Sequence, residues 1–286
     1  MAKKSVTLPS DAIKRLVREA LNEDRASEDA TSRLIPARRR IAAVVLCEED
    51  CVLAGTAFLP EIFGGSLRWK SGRGIRDGRR VLRGSIIGRL EGSARKILSR
   101  ERTALNLLSH LSGIATLTRR YVDQIPPGCR TRILDTRKTL PGLRLLEKYA
   151  VRCGGGVNHR FSLAENIFLK DNHLASLDWS SWRRRLLRLD RSGTRPFLIV
   201  EVDAVERVED ALSVRPNRIL LDNLSNTEVR RAMRIIDGRA EIEVSGGVTP
   251  DRVKSLARLG VDYISVGALT ISAPAIPFSL EVLGPK

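Results

Sequence analysis

Ile13, Leu16, Val17, Ala20 and Leu21 recur at helical spacing behind Ser10, a residue suited to an N-cap, so residues 10–22 are expected to form an amphipathic helix. Between 41 and 90 the pattern shortens. IAAVVLCEE, CVLAGTAF, SLRWK and VLRGSIIGRLEG are β-prone runs broken by Gly, Asp and charge. Residues 94–124 return to a helical period, with Leu98, Leu105, Leu108, Leu111 and Ala115 along one side. This part of the chain predicts a mixed α+β domain rather than a clean βα repeat.

Further along, β-prone runs recur, each followed by an amphipathic helical stretch: TRILDT (131–136), FLIVEVD (197–203), NRILLDN (217–223), AEIEVSGG (240–247) and VDYISVGA (261–268). From Glu201 to Asp222 is 21 residues, from Asp222 to Ser245 is 23, and from Ser245 to Gly267 is 22. Strand–helix units of this size make parallel sheets, and several in succession predict an α/β fold of the (β/α) barrel type. The strand C-termini of such a barrel meet at one rim, where catalytic residues sit. Here the runs end in Asp135-Thr136-Arg137-Lys138, Glu201 and Asp203, Asp222 and Asn223, Ser245-Gly246-Gly247, and Gly267. A further run, NIFLKDNH, ends in Lys170, Asp171, Asn172 and His173. One polar strand end means little, but six in order predict a site.

Composition narrows the chemistry. With 42% hydrophobic and 29% charged residues, the chain is neither disordered nor of low complexity. Four Cys in 286 residues exclude a disulfide scaffold. Cys47, Cys51, Cys129 and Cys153 form no zinc spacing with one another or with the scattered His110, His159 and His173. Lys3 and Lys4 precede no apolar segment, and no run is long enough to span a membrane, so a cytoplasmic protein with reduced thiols is expected. The net charge of +17 comes from 40 Arg and 10 Lys. Aromatics are only 4%, which leaves few stacking platforms for single strands, and no nucleic-acid motif occurs. An anionic small substrate is therefore preferred. A basic nucleic-acid-binding protein is the competing non-enzyme reading.

The rim residues fit that preference. Ser245-Gly246-Gly247 and the Gly267–Thr270 loop suit phosphate, because glycine lets backbone N–H groups approach closely; the competing reading is a plain turn. Glu201 and Asp222 suit Mg²⁺ shared with substrate phosphates, or else each caps a helix or pairs with an Arg. Arg137, Lys138, His159, Arg160 and Lys170 put five potential cations around one mouth, a repulsive arrangement unless anions arrive. A Schiff-base aldolase built on Lys138 or Lys170 is a weaker alternative.

ERTALNLLSHLSGIAT (101–116), DTRKTLPGLRLLEKYAVRCGGGVNHR (135–160), LKDNH (169–173), EVD, LDN, SGG and GVDYISVGALT (260–270) closely resemble the quinolinate phosphoribosyltransferases, in order and spacing over nearly the whole chain. The resemblance implies an N-terminal α/β sandwich domain, residues 1–115 joined by 272–286, and an incomplete (β/α) barrel at 116–271. It implies conversion of quinolinate and phosphoribosyl pyrophosphate to nicotinate mononucleotide, CO₂ and pyrophosphate, with Mg²⁺, in de novo NAD biosynthesis. It implies a homodimer or a higher assembly of dimers in which Arg102 crosses to the neighbour's site. Arg137, Lys138, His159, Arg160 and Lys170 match the quinolinate pocket, with Thr136 beside them. Glu201 and Asp222 match the acids near ribose and metal. Ser245, Gly246, Gly247, Val266, Gly267 and Ala268 match the phosphate site. Lys138, Lys170, Glu201 and Asp222 are the candidate catalytic groups. The chain departs from the family at Ser162, Asp203 and Ile271, where Gly, Glu and His are usual, and EDRASEDATS (23–32) lacks both customary glycines. A paralogue acting on nicotinate or another ring is the alternative among enzymes.

Overall fold

The computed structural model describes residues 8–191, 193 and 196–285. It divides into two compact units, one of Met1–Arg119, Pro141–Gly155 and Ser272–Lys286, the other of Arg120–Leu140 and Gly156–Ile271. In chain order the strands are β1 (Arg40–Cys47), β2 (Cys51–Val52), β3 (Arg68–Ser71), β4 (Arg80–Val81), β5 (Ile86–Ser93), β6 (Arg132–Leu134), β7 (Ile167–Leu169), β8 (Leu198–Val202), β9 (Arg218–Asp222), β10 (Glu241–Ser245), β11 (Tyr263–Ser265) and β12 (Phe278–Pro285).

The first unit is built on an antiparallel sheet in the order β12-β1-β5-β3, with β2 and β4 paired separately. β1 reads RIAAVVLC, a run of β-branched and small apolar residues, and is buried at nearly every position. The helix Ala94–Val122 contributes Ile97, Leu105, Leu108, Leu111, Ile114 and Ala115 to the core, and each of its Leu and Ile side chains gains roughly 1.5–3 kcal/mol on burial. Gly113 lets Pro274 approach this helix, since a Cβ there would lie 2.2 Å from the Pro274 carbonyl oxygen. The N-terminal helix is Ser10–Glu23; Pro9 rather than Ser10 holds the N-cap position, and no side chain caps it. The segment 141–155 belongs to this unit and not to the barrel, because its helix Arg144–Cys153 is tied to first-unit residues. Tyr149 donates its hydroxyl to Asp77 at 2.5 Å, and His110 Nε2 lies 3.0 Å from Glu147 Oε1.

The second unit is a six-stranded parallel sheet in the order β6-β11-β10-β9-β8-β7. The first strand pairs with the last, as in a barrel, but β6 and β7 do not pair with each other. Val157 makes a single parallel bridge with Leu134 and leaves a seam before β7. The pattern within the strands is two-sided. Leu198, Val200 and Val202 of β8, Ile219 and Leu221 of β9, Ile242 and Val244 of β10 and Ile264 of β11 are all buried on one face. Covering helices Asn226–Ile236 and Pro250–Leu259 bury Val229, Ala232, Ile236, Val253, Leu256 and Ala257. The alternate positions of the same strands carry Glu201, Arg218, Asp222, Glu241, Glu243, Ser245, Tyr263 and Ser265. That face also buries Ile199 and Leu220, so the interior of this barrel is mixed, with a polar cluster that leads to the rim.

Candidate active site

All six strands run parallel, so their C-terminal ends deliver Thr136, Arg137, Lys138, Lys170, Glu201, Asp222, Ser245, Gly246, Gly247, Val266, Gly267 and Ala268 to one rim. Lys170 follows β7 and Glu201 is near the end of β8; Lys170 Nζ lies 3.2 Å from Glu201 Oε2. Burial pushes the Glu201 carboxyl above the usual carboxylate range, Lys170 opposes this, and Asp222 and Asp171 add to it. Asp222, closing β9, accepts a hydrogen bond from Ser245 Oγ on β10 and another from Asn223 Nδ2 at 2.8 Å. Gly246 has φ +87, and Asn223 sits in the left-handed region at φ 57. A Cβ at Gly246 would stand 2.2 Å from Asn223 Oδ1 and 2.6 Å from its backbone nitrogen, so only glycine allows these two loops to touch.

The other end of the sheet is joined to this loop pair by β11. Thr270 Oγ1 donates to the Lys138 carbonyl at 2.5 Å, and the Lys138 amide donates to Thr136 Oγ1 at 3.0 Å. The stem of Lys138 passes so close to Gly267 that a Cβ there would be 2.9 Å from Lys138 Cδ.

His159 and Arg160 fill the seam beside β7. Asp135, fully buried at the end of β6, accepts from the His159 amide at 2.8 Å and from Asn158 Nδ2 at 2.5 Å. Arg160 Nη1 donates to the Asn166 carbonyl at 3.0 Å, so a side chain takes up an acceptor at the unpaired edge of β7. Phe168 is the common platform. The His159 ring stacks on it at 5.7 Å, the Arg160 guanidinium lies 5.0 Å from its centroid and Lys170 Nζ 4.8 Å. Burial, and then the adjacent Arg137, pull the Arg160 pKa below the ordinary guanidinium value. Arg137 Nε is buried with no hydrogen-bond partner among the described residues. A buried cationic donor in that condition is costly, and an incoming carboxylate or phosphate relieves it.

Residues far apart in sequence therefore converge: His159, Arg160 and Lys170 about Phe168, with Arg137 near Arg160, and the pairs Lys170–Glu201 and Asp222–Ser245 on the neighbouring strand ends. Arg102 is exposed on the helix Ala94–Val122 of the first unit. Among the described residues no three His, Cys, Asp or Glu gather as a metal cluster. Reading strand ends alone missed Asp135 as an anchor, Phe168 as the platform, and Glu243 with Arg218 beneath the rim. Strict alternation along EIEVS was the signal that could have found Glu243; RILLD, with three apolar residues in a row, gave no such signal for Arg218.

Fold and rim together define an α/β-barrel enzyme that handles anions. The chain belongs to the quinolinate phosphoribosyl transferase family: the model of the family's N-terminal domain matches residues 29–112 and that of its C-terminal domain residues 114–281. It is 38% identical over 283 residues to nicotinate-nucleotide pyrophosphorylase (carboxylating) of Mycobacterium leprae, covering 95% of this chain and 98% of that one. A probable nicotinate-nucleotide pyrophosphorylase (carboxylating) of Bacillus subtilis is 36% identical over 273 residues, covering 94% of this chain and 93% of that protein. The solved nicotinate-nucleotide pyrophosphorylase from Francisella tularensis superposes with a TM-score of 0.87 at 34% identity, covering 99% of this chain and all of that one. No helix among the described residues is long and apolar enough to cross a membrane.

Proposed function

We infer that this chain is a decarboxylating phosphoribosyltransferase of NAD biosynthesis, joining quinolinate to phosphoribosyl pyrophosphate and releasing CO₂ and pyrophosphate. The observation that carries the assignment of its residues is the buried, unpartnered Arg137 Nε beside a desolvated Arg160, a pair of guanidinium groups that calls for an anion. Quinolinate presents two adjacent carboxylates. Arg137, Arg160 and Lys170 receive them, with Lys138 and His159 completing the pocket and Thr136 at its edge. The 5′-phosphate rests on the backbone of Ser245, Gly246 and Gly247 and of Val266, Gly267 and Ala268.

The bond from the anomeric carbon to pyrophosphate breaks, and its electron pair leaves with pyrophosphate. Glu201 and Asp222 face the cationic sugar and stabilise it. The quinolinate ring nitrogen then donates its lone pair to the anomeric carbon. The resulting pyridinium accepts the electron pair of the adjacent C–CO₂ bond as CO₂ departs, and a proton replaces CO₂ on the ring. Positioning and electrostatics supply the catalysis, with no covalent enzyme intermediate.

Glu201 and Asp222 are hard oxygen donors on neighbouring strands and fit Mg²⁺, which needs only one or two carboxylates when phosphates and water complete its shell. Their existing bonds to Lys170, Ser245 and Asn223 favour contact made largely through substrate and water. When bound, the ion would neutralise the pyrophosphate charge.

The direct test supplies quinolinate, phosphoribosyl pyrophosphate and Mg²⁺ and follows nicotinate mononucleotide. The expected kcat/KM for quinolinate exceeds that for nicotinate by at least about a thousand-fold, because a site built to pair a second carboxylate is left unpaired by nicotinate. Equal rates with both acids would move the protein to the nicotinate-specific reading.

The exposed Arg102 is assigned to the neighbouring subunit's quinolinate pocket in a homodimer. If each site draws Arg102 from the partner, a mixture of Arg102→Ala and Lys170→Ala chains regains activity. Random pairing of a two-fold dimer leaves one intact site in half of the dimers, roughly a quarter of wild-type activity. A mixture as inactive as its components would overturn the sharing of Arg102 across the interface.

A further inference from the structure

Below the rim, the barrel interior holds a carboxylate that none of the steps above uses. Glu243, in the middle of β10, has no exposed surface. Arg218 Nη1 donates to its Oε2 at 2.9 Å, and Ser265 donates its hydroxyl to Oε1. The same Oε1 lies 3.6 Å from His159 Nε2. Arg218 is itself fixed by Glu241 Oε2, at 2.8 Å from Nη2, and by the Tyr263 ring at 3.8 Å. A fully buried carboxylate so well supplied with donors is held in one orientation, and the third group it faces is His159.

The His159 ring carries a second constraint. Its Nδ1 accepts the backbone N–H of Arg160 at 2.8 Å. An accepting Nδ1 has no proton, so the ring's proton sits on Nε2, the atom that faces Glu243. The acid therefore stands where it selects the tautomer that the Arg160 amide requires. Arg160 in turn sends its guanidinium across Phe168 to the β7 edge.

We propose that Glu243 is a positioning residue: through the Nε2–H tautomer of His159 it fixes the Arg160 backbone, and with it the guanidinium that receives a carboxylate of the pyridine acid. It touches no substrate. The proposal rests on the reading of Arg160 as an acid-binding group.

Two measurements test it. In the first, protein labelled with ¹⁵N-histidine is examined by NMR without substrate, with His159→Asn identifying the resonance among His110, His159 and His173. A neutral His159 ring protonated at Nε2 is expected; a ring protonated at Nδ1 overturns the proposal. This result does not depend on turnover, so it stands even if the protein were to use an acid other than quinolinate.

The second compares Glu243→Gln, Glu243→Asp and Glu241→Gln. Glu243→Gln and Glu243→Asp should each raise KM for quinolinate by about ten- to a hundred-fold, as when an imidazole loses its orienting carboxylate. KM for phosphoribosyl pyrophosphate should stay within about twofold, because the orienting effect ends at Arg160. Glu241→Gln, which loosens Arg218 without facing His159, should leave both constants unchanged. If Glu243→Asp kept a normal KM, or Glu241→Gln raised it equally, Glu243 would be part of a structural network only. Should Glu243→Gln fail to fold, Glu243→Asp, which keeps the charge and withdraws it by one methylene, carries the comparison.

Discussion

Replacing Lys170 by Ala lowers kcat/KM for quinolinate by two to three orders of magnitude, about 3–4 kcal/mol of lost transition-state binding. Two losses combine. The first is a cation above Phe168 that pairs with a substrate carboxylate. The second concerns Glu201, whose carboxyl is already pushed up by burial and held down mainly by Lys170 at 3.2 Å. Without that cation the Glu201 pKa rises further, and less of it is ionised at neutral pH. The sign follows. The acid limb of the pH–rate profile moves to higher pH in the variant, and alkaline buffer restores part of the lost rate. Steady-state kinetics across pH check both statements. A uniform loss at every pH would leave the substrate contact in place and remove Glu201 from the account.

Gly246→Ala is expected to raise KM for phosphoribosyl pyrophosphate by about ten- to a hundred-fold and to lower thermal stability, with a combined cost of roughly 2–4 kcal/mol from overpacking and left-handed strain. The new Cβ meets Asn223 at both the side-chain oxygen and the backbone nitrogen, and the backbone cannot retreat without separating Asp222 from Ser245. The neighbouring position is the internal control. Gly247 also has positive φ, but nothing lies within 4 Å of the Cβ that Ala would add. Gly247→Ala should therefore show only the strain component. Comparable effects at the two positions would mean that the close approach of the β9 and β10 loops does not matter for phosphate.

The barrel strands were legible because their spacing is nearly constant and their ends are polar. Each of FLIVEVD, NRILLDN, AEIEVSGG and VDYISVGA contains an observed strand. The segment 141–155 was less so. Its sequence continues a motif that begins at Asp135, yet its helix is fastened through Tyr149 to Asp77, a long-range contact that no local pattern encodes. The N-cap of the first helix fell on Pro9 because Pro presets the backbone there, whatever the merits of a Ser one residue later. At the rim, charge and glycine marked the groups that face outward. They did not mark Phe168, which looks like an ordinary core residue until three cationic or imidazole groups are seen over its ring. Nor did they mark Glu243, whose meaning depends on which strands stand beside it.

The seam between Val157 and β7 has a consequence for how binding and folding are linked. A closed cylinder would be laced all the way round by its backbone. Here His159, Arg160 and Phe168 do the lacing on one side, and two of those three are also assigned to the acid. An occupied pocket would thus complete the wall as well as hold the reactant. Part of the free energy of capture would go into stiffening the scaffold, so the protein's resistance to heat should climb with acid concentration. Altering the shape of the accepted ring would mean rebuilding the one side of the wall that the main chain does not secure.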